Sequence, residues 1–378
     1  MQPVFTAVEM RALDARSIET LNIPGPRLME NAGRGAAAVI AREWAPVRGR
    51  RILVLCGKGN NGGDGFVVAR HLKVKGARPR VLLVGRRAEV TGDAVQALAR
   101  WRGKVEEIHD EAGLATVARA LAEAELVVDA LLGTGLTGAV RGLAAQVIEQ
   151  INRSTARSGV PVVALDLPSG LGSDNGALLG HTLRATLTLT FAGLKRSLLL
   201  QPAAEHAGRV VVVPIGVPDV EVARGVSTAL IEESDIRHLF PPRPVEAHKG
   251  SYGHLLVIAG SVGKTGAASL AGRSALRSGV GLCTVATPAS QQPIVAGFSM
   301  ETMTEPIAET AAQSLAVKAR EHLVELGMQR DAVALGPGLS LDTETQALAR
   351  ALVAEVPRPM VVDADALTAL AGHLDLLG

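Results

Sequence analysis

The chain has 378 residues and a mass of 39.1 kDa, enough for two or three domains at roughly 100–200 residues each. Hydrophobic residues make up 47% and charged residues 20%, which excludes wholesale disorder. The 39 Lys+Arg and 37 Asp+Glu leave +2, and there are only two Trp, one Tyr and five Phe, so neither bulk charge nor stacking platforms suit a nucleic-acid binder.

Cys56 and Cys283 both lie in apolar runs and are too few for a disulfide framework or a four-ligand zinc site. The N-terminal residues from Met1 to Arg16 mix charges and lack an apolar signal core, and no run approaches the roughly 18 apolar residues of a membrane span. The expectation is a soluble, cytoplasmic protein with no membrane partner.

Thr6-Ala7-Val8-Glu9 has the form of a capping box opening a first helix. Pro26 suits the start of a second, which carries Leu28, Met29, Ala32, Ala36, Val39 and Ile40 and stops before Pro46. Strands are then expected at 51–56, 81–85, 125–132, 160–167, 186–191 and 209–215, with helices at 66–75 and 91–102. Continuous apolar runs alternating with helices predict an α/β fold with a mostly parallel sheet covered on both faces, a Rossmann-like three-layer arrangement. A short helical stretch near 232–239 leads into Phe240-Pro241-Pro242-Arg243-Pro244, a composition that commonly separates domains. A second α/β series follows, with strands at 253–259, 281–286, 331–335 and 359–363 and helices at 265–278 and 343–353. The expected domains are 1–225 and 226–378.

The strongest local signal is Gly57-Lys58-Gly59-Asn60-Asn61-Gly62-Gly63-Asp64-Gly65, between an apolar strand and a helix. Glycines leave backbone N–H groups uncovered, and a helix N-terminus favours an anion. The run fits neither the Rossmann G-x-G-x-x-G nor the Walker pattern. Two more strand ends are similarly equipped. Leu126-Val127-Val128-Asp129 leads to Gly133-Thr134-Gly135-Leu136-Thr137-Gly138-Ala139, and Val162-Val163-Ala164-Leu165-Asp166 leads to Pro168-Ser169-Gly170. Each aspartate read alone is as good a helix cap as a catalyst. A parallel sheet, however, brings all carboxyl ends of its strands to one edge, so Asn61, Asp129, Asp166 and Ser169 are expected to face one pocket.

Together with Asn31-Ala32-Gly33-Arg34-Gly35, these loops resemble the NAD(P)H-hydrate epimerase family over about residues 1–218. The resemblance implies an enzyme that interconverts the R and S epimers of hydrated NADH or NADPH. It implies hydrate contacts at Asn60, Asn61, Gly62, Gly63 and Asp64, at Gly133, Thr134, Gly135, Leu136, Thr137, Gly138 and Ala139, and at Asp166. It further implies a potassium ion on Asn61, Asp129 and Ser169, an oxygen-only set of the kind a hard cation takes. Asp166 is the best general acid/base on this edge, since no histidine lies in the three loops and Cys56 is inside its strand. The alternative role for Asp166 is simply to hold the ribose or ring.

In the second domain Gly260-Ser261-Val262-Gly263-Lys264-Thr265-Gly266 imitates a P-loop, but the Walker spacing needs glycine where Ile258 stands. The run from Gly266 to Gly272, Gly336-Pro337-Gly338-Leu339, and Val361-Val362-Asp363-Ala364-Asp365 together resemble the ADP- or ATP-dependent NAD(P)H-hydrate dehydratase family over about residues 230–378. That family has a ribokinase-like fold. The resemblance places hydrate contacts at Gly266, Ala267 and Gly338, and implies ADP or ATP with Mg²⁺. The family's Pro-His-Pro-Gly-Glu loop, Lys-Gly nucleotide loop and Gly-x-Gly-Asp-like anion hole do not occur before Gly378. The expectation is therefore a partial domain, less stable than the first, in a chain that epimerises the hydrate without dehydrating it. A homo-oligomer is the expected assembly. Two alternative classes are a ribokinase-like small-molecule kinase with an accessory first domain, and a non-catalytic binding module. The combination of Asn61, Asp129 and Asp166 argues against both.

Overall fold

The computed structural model describes residues 1–136 and 138–377. The chain divides into two compact units, Met1–Phe240 and Pro241–Gly378.

The first unit is built on seven parallel strands: β2 (Arg51–Cys56), β3 (Arg78–Val84), β4 (Val105–Ile108), β5 (Leu126–Ala130), β6 (Val162–Leu165), β7 (Leu187–Phe191) and β9 (Arg209–Val213). Their spatial order is β4-β3-β2-β5-β6-β7-β9, so the winding direction reverses between β2 and β5. That reversal splays the loops beyond the two strands and opens a crevice at their carboxyl ends. A smaller sheet orders β10 (Thr228–Leu230), β1 (Gln2–Phe5) and β8 (Leu194–Lys195), with β1 antiparallel to β10 and parallel to β8.

Strand alternation assigns the two faces of the large sheet. Ile52, Val54 and Cys56 pack with residues of α1 (Ala7–Glu19), α2 (Gly25–Glu43), α3 (Asn60–Val74) and α4 (Ala94–Arg100), among them Leu13, Ile40, Phe66 and Ala94. Leu53 and Leu55 pack with Val117 and Leu121 of α5 (Leu114–Glu123) and Ile148 and Ile151 of α6 (Gly142–Ser158). The result is three layers. Thr6 and Glu9 form the expected reciprocal cap of α1, and Pro26 lies in the first turn of α2. Three short helices, α7 (Ala204–Ala207), α8 (Asp219–Ala223) and α9 (Glu233–Ile236), complete the unit.

The second unit has five parallel strands, β11 (His254–Ile258), β12 (Leu282–Pro288), β13 (Met303–Ile307), β14 (Ala332–Leu335) and β15 (Met360–Val362), in the order β13-β12-β11-β14-β15. Val257 and Ala259 pack with Ala268 of α10 (Thr265–Ser278), which lies ahead of the short α11 (Gln292–Ala296). Leu256 and Ile258 pack with α12 (Arg320–Met328), α13 (Thr343–Glu355) and α14 (Ala364–Ala369). Here too the winding reverses beside the first strand, between β11 and β14. None of the described helices is long and apolar enough to cross a membrane.

One element begins earlier than its sequence suggests. A helix was expected from residue 66, whereas α3 starts at Asn60, so the glycine run forms its first two turns. Close packing is what demands glycine there. A Cβ at Gly57 would stand 1.9 Å from the Leu131 carbonyl oxygen, at Gly62 2.0 Å from the Gly57 carbonyl oxygen, and at Gly65 2.7 Å from Ala130 Cβ. The glycines let α3 settle onto the ends of β2 and β5. Gly59, by contrast, has nothing within 4 Å of an added Cβ and an ordinary negative φ of −99°. Gly57→Ala is therefore expected to cost about 1–3 kcal/mol by overpacking, while Gly59→Ala stays near wild type. Both tryptophans, Trp44 and Trp101, belong to the first unit, so denaturant unfolding followed by tryptophan fluorescence reads this difference without interference from the second.

Candidate functional site

A cavity of about 960 Å³ lies at the β2–β5 switch point, within the range of nucleotide-sized ligand pockets. Asn60, Asn61 and Asp64 enter it from the start of α3. Leu131 to Leu136 together with Gly138 and Ala139 enter from the loop after β5, and Asp166 from the end of β6. Thr137 lies outside the described residues. Met10, Arg11 and Asp14 of α1, Leu28 and Met29 of α2, and Lys58, Thr91 and Asp93 close the remaining walls.

The floor is an ion pair that the motifs did not announce. Lys195 Nζ lies 2.6 Å from Asp166 Oδ1, with the lysine side chain 1% exposed. Its other two donors go to Thr190 Oγ1 at 2.9 Å and the Phe191 carbonyl at 2.8 Å. An ammonium has three N–H groups, so every one is used. The short β8, paired with β1 at Phe5 and Lys195, presents this side chain. Asp166 itself has φ +64°, a left-handed conformation rare for a residue with a Cβ, and such strain concentrates at functional sites. Its amide donates to the Leu189 carbonyl at 2.8 Å and its Oδ2 accepts from the Thr134 amide at 3.3 Å. Gly133 fits between Asp166 and Asn61; a Cβ there would stand 3.2 Å from Asp166 Oδ2 and 3.4 Å from Asn61 Cβ.

Two further carboxyl groups surround the pair. Burial first, then the Asp166 and Asp14 charges, push Asp64 well above the ordinary carboxylate range, with Lys195 pulling the other way. Asp14 is raised to about 6 by the protein packed around it and by Asp166, again opposed by Lys195, although its side chain remains accessible through the cavity. Burial also pushes the Cys56 thiol up, with help from Asp64, which leaves it a packing residue and not a nucleophile.

The residues singled out from the sequence separate into two groups. Asn60, Asn61, Asp64, Gly133, Thr134, Gly135, Leu136, Gly138, Ala139 and Asp166 line the cavity. Gly62 and Gly63 do not; they pack against Gly57 and Met29. Asp129 and Ser169 also fail to face the pocket as expected. Both are fully buried behind its wall, because Asp129 Oδ2 accepts from the Ser169 amide at 2.8 Å and Oδ1 from its hydroxyl at 2.7 Å. Burial raises the Asp129 carboxyl to about 6, and the hydrogen bonds from Ser169 and Leu131 only partly offset it. Nearby, Asn61 Nδ2 donates to the Leu132 carbonyl at 2.9 Å while its buried Oδ1 has no partner. Asn61 Nδ2 and Ser169 Oγ meet the same Leu132 carbonyl, so an orphaned amide oxygen and a buried carboxylate belong to neighbouring residues, oxygen donors of the kind a hard cation takes. Among the described residues no cluster of three or more His, Cys, Asp or Glu forms a transition-metal site.

In the second unit, Gly338 has φ +68°, and a Cβ there would stand 3.0 Å from Ala267 Cβ and 3.0 Å from the Lys264 carbonyl oxygen. Ser261 Oγ donates to the Gly338 carbonyl at 2.8 Å, and Lys264 Nζ lies 2.9 Å from Asp365 Oδ2. The loops after β11 and β14 are thus tied across the second switch point, with Gly266 exposed in the first turn of α10.

Sequence reasoning missed Lys195 and Asp14. The available signal for Lys195 was a lone lysine in the apolar stretch from Leu187 to Leu200. Asp14 had none, because an aspartate on an amphipathic helix has the pattern of a solvated face.

Two family models match the chain: YjeF-related protein N-terminus over residues 25–197 and NAD(P)H-hydrate dehydratase over residues 255–377. The chain is similar to the bifunctional NAD(P)H-hydrate repair enzyme of Moorella thermoacetica, with 43% identity covering 97% of this chain and 70% of the relative. The enzyme of the same name from Salinibacter ruber is 40% identical, covering 99% and 71%. That from Pyrobaculum aerophilum is 38% identical, covering 97% and 71%.

Proposed function

Since the chain belongs to the bifunctional NAD(P)H-hydrate repair enzyme family, we propose that the cavity of its first unit epimerises hydrated NADH or NADPH and that Asp166 is the proton-transferring residue. The observation that carries this reading is the convergence of three strand-end loops on one nucleotide-sized cavity whose floor is the Asp166–Lys195 pair. The hydrate bears its hydroxyl on a carbon beside the ring nitrogen. Inverting that carbon requires a group that moves the hydroxyl proton and a charge that steadies the changing oxygen. Asp166 supplies the first and Lys195 holds it in place.

The potassium ion would rest on Asn61, Asp129 and Ser169, behind the wall that Asn61 shares with the substrate. Its contribution would be electrostatic: it would satisfy the orphaned Asn61 oxygen and balance Asp129. In the second unit, Gly266, Ala267 and Gly338 would contact the hydrate of a dehydratase site that takes ADP or ATP with Mg²⁺.

The test of the epimerase reading is incubation of the purified protein with one epimer of NADPH hydrate, followed by chromatographic resolution of R and S. Enzyme-dependent equilibration is expected. Asp166→Asn should slow it by about 10²-fold or more. Because Asp166 is the counter-ion of a buried lysine, the same substitution should also lower stability, so both quantities are measured below the unfolding transition. Turnover near wild type would remove Asp166 from proton transfer.

The cation has its own readout. KCl at ten times its Kd should stabilise the first unit by about 1.4 kcal/mol relative to choline chloride at equal ionic strength. Asn61→Ala should abolish that increment. Identical thermal shifts in the two salts would argue against a potassium site here.

A further inference from the structure

Three carboxyl groups, Asp14, Asp64 and Asp166, gather around the buried ammonium of Lys195. One lysine balances one carboxylate, and the short contact shows that Asp166 is that partner. Asp64 is enclosed at the foot of α3, 8% exposed. Asp14 differs from both. It comes from α1 and not from a strand end, and it lines the cavity with an accessible side chain. Among the described residues its carboxyl has no hydrogen-bond or ion-pair partner. A carboxyl that is open to the ligand space yet without a protein partner is free to bond to a ligand.

We propose that Asp14 is a second catalytic residue of the epimerase site, donating a proton to the ring nitrogen of the hydrate while Asp166 accepts the proton of its hydroxyl. This rests on the epimerase reading and deepens it. As Asp166 takes the hydroxyl proton, the C–O bond becomes C=O. The adjoining C–N bond breaks with its electron pair staying on nitrogen, and nitrogen takes the Asp14 proton. Rotation about the neighbouring C–C bond turns the other face of the aldehyde toward the nitrogen. Re-closure then returns one proton to Asp14 and delivers the other from Asp166 to the oxygen. No atom is gained or lost and nothing is oxidised, so neither water nor a redox partner is needed.

The protonation state fits the role. With its carboxyl raised to about 6, Asp14 keeps its proton to higher pH than an ordinary aspartate, whose reference value is about 3.9. The charged groups that share its surroundings are Asp166 and Lys195 from the sheet side, Asp64 from α3, Arg11 on its own helix, and Lys58 and Asp93 at the rim.

The experiment measures epimerisation of a single NADPH-hydrate epimer across pH 5–8 for wild type, Asp14→Asn and Asp14→Glu. Asp14→Asn should lower kcat by about 10²-fold, with KM changing by less than about threefold, and Asp14→Glu should recover part of the loss. In wild type an acid that must be protonated makes kcat/KM fall as pH rises, with a midpoint near the value of about 6 to which the Asp14 carboxyl is raised, and the limb should vanish in Asp14→Asn. Turnover of Asp14→Asn within about threefold of wild type, or a wild-type profile with no decline through this range, would overturn the proposal. The wild-type profile needs no substitution, so it decides the matter even if Asp14→Asn does not fold. A wild type that does not epimerise at all would instead overturn the epimerase reading, and Asp14's role with it.

Discussion

A lysine enclosed in protein survives as an ammonium only where its donors are satisfied and a counter-charge touches it. Lys195 meets that condition through Asp166, Thr190 and the Phe191 carbonyl, and much of the first unit is arranged around it. The short β8 carries Lys195, and its pairing with β1 ties the N-terminal strand to the same spot. Asp166 is held in a left-handed conformation against that ammonium. With the buried lysine committed to Asp166, burial first and the Asp166 charge second displace Asp64 and Asp14 toward their protonated forms. The acid–base asymmetry of the cavity follows from burial and this pairing together.

The second constraint is backbone proximity at the switch point. Gly57, Gly62 and Gly65 bring α3 within contact of the β2 and β5 ends at distances no Cβ would permit. That closeness turns Asn61 so that its amide meets Leu132 and its Oδ1 is left buried without a partner. Asp129 and Ser169 sit just behind, bonded to each other. The cavity wall is therefore also the wall of the cation's proposed site, which links substrate positioning to cation binding without any residue serving both as ligand and as acid.

Much of this was legible beforehand because parallel strands write themselves as continuous apolar runs and their carboxyl ends must share an edge. The runs at 51–56 and 125–132, and the glycine and aspartate loops after them, pointed to the edge where the cavity lies. What stayed hidden depended on tertiary position. The start of α3 was misplaced because glycines look like a turn when the helix packing that requires them is not visible. Asp129 was expected in the pocket because sequence shows that a side chain lies at a strand end but not which side of the loop it takes. Lys195 and Asp14 carry no spacing signature; a charged residue on an edge strand or an amphipathic helix is ordinarily solvated, and only the fold shows these two converging on Asp166.

The account depends most on Lys195 and Asp166 acting as one unit in epimerisation. A double-mutant cycle with Asp166→Asn, Lys195→Met and the double variant, read as kcat for interconversion of the hydrate epimers, tests this directly. The account predicts strong non-additivity, with the double variant about as slow as the slower single one. Rate losses that multiply, so that the double variant falls by the product of the two single effects, would contradict it.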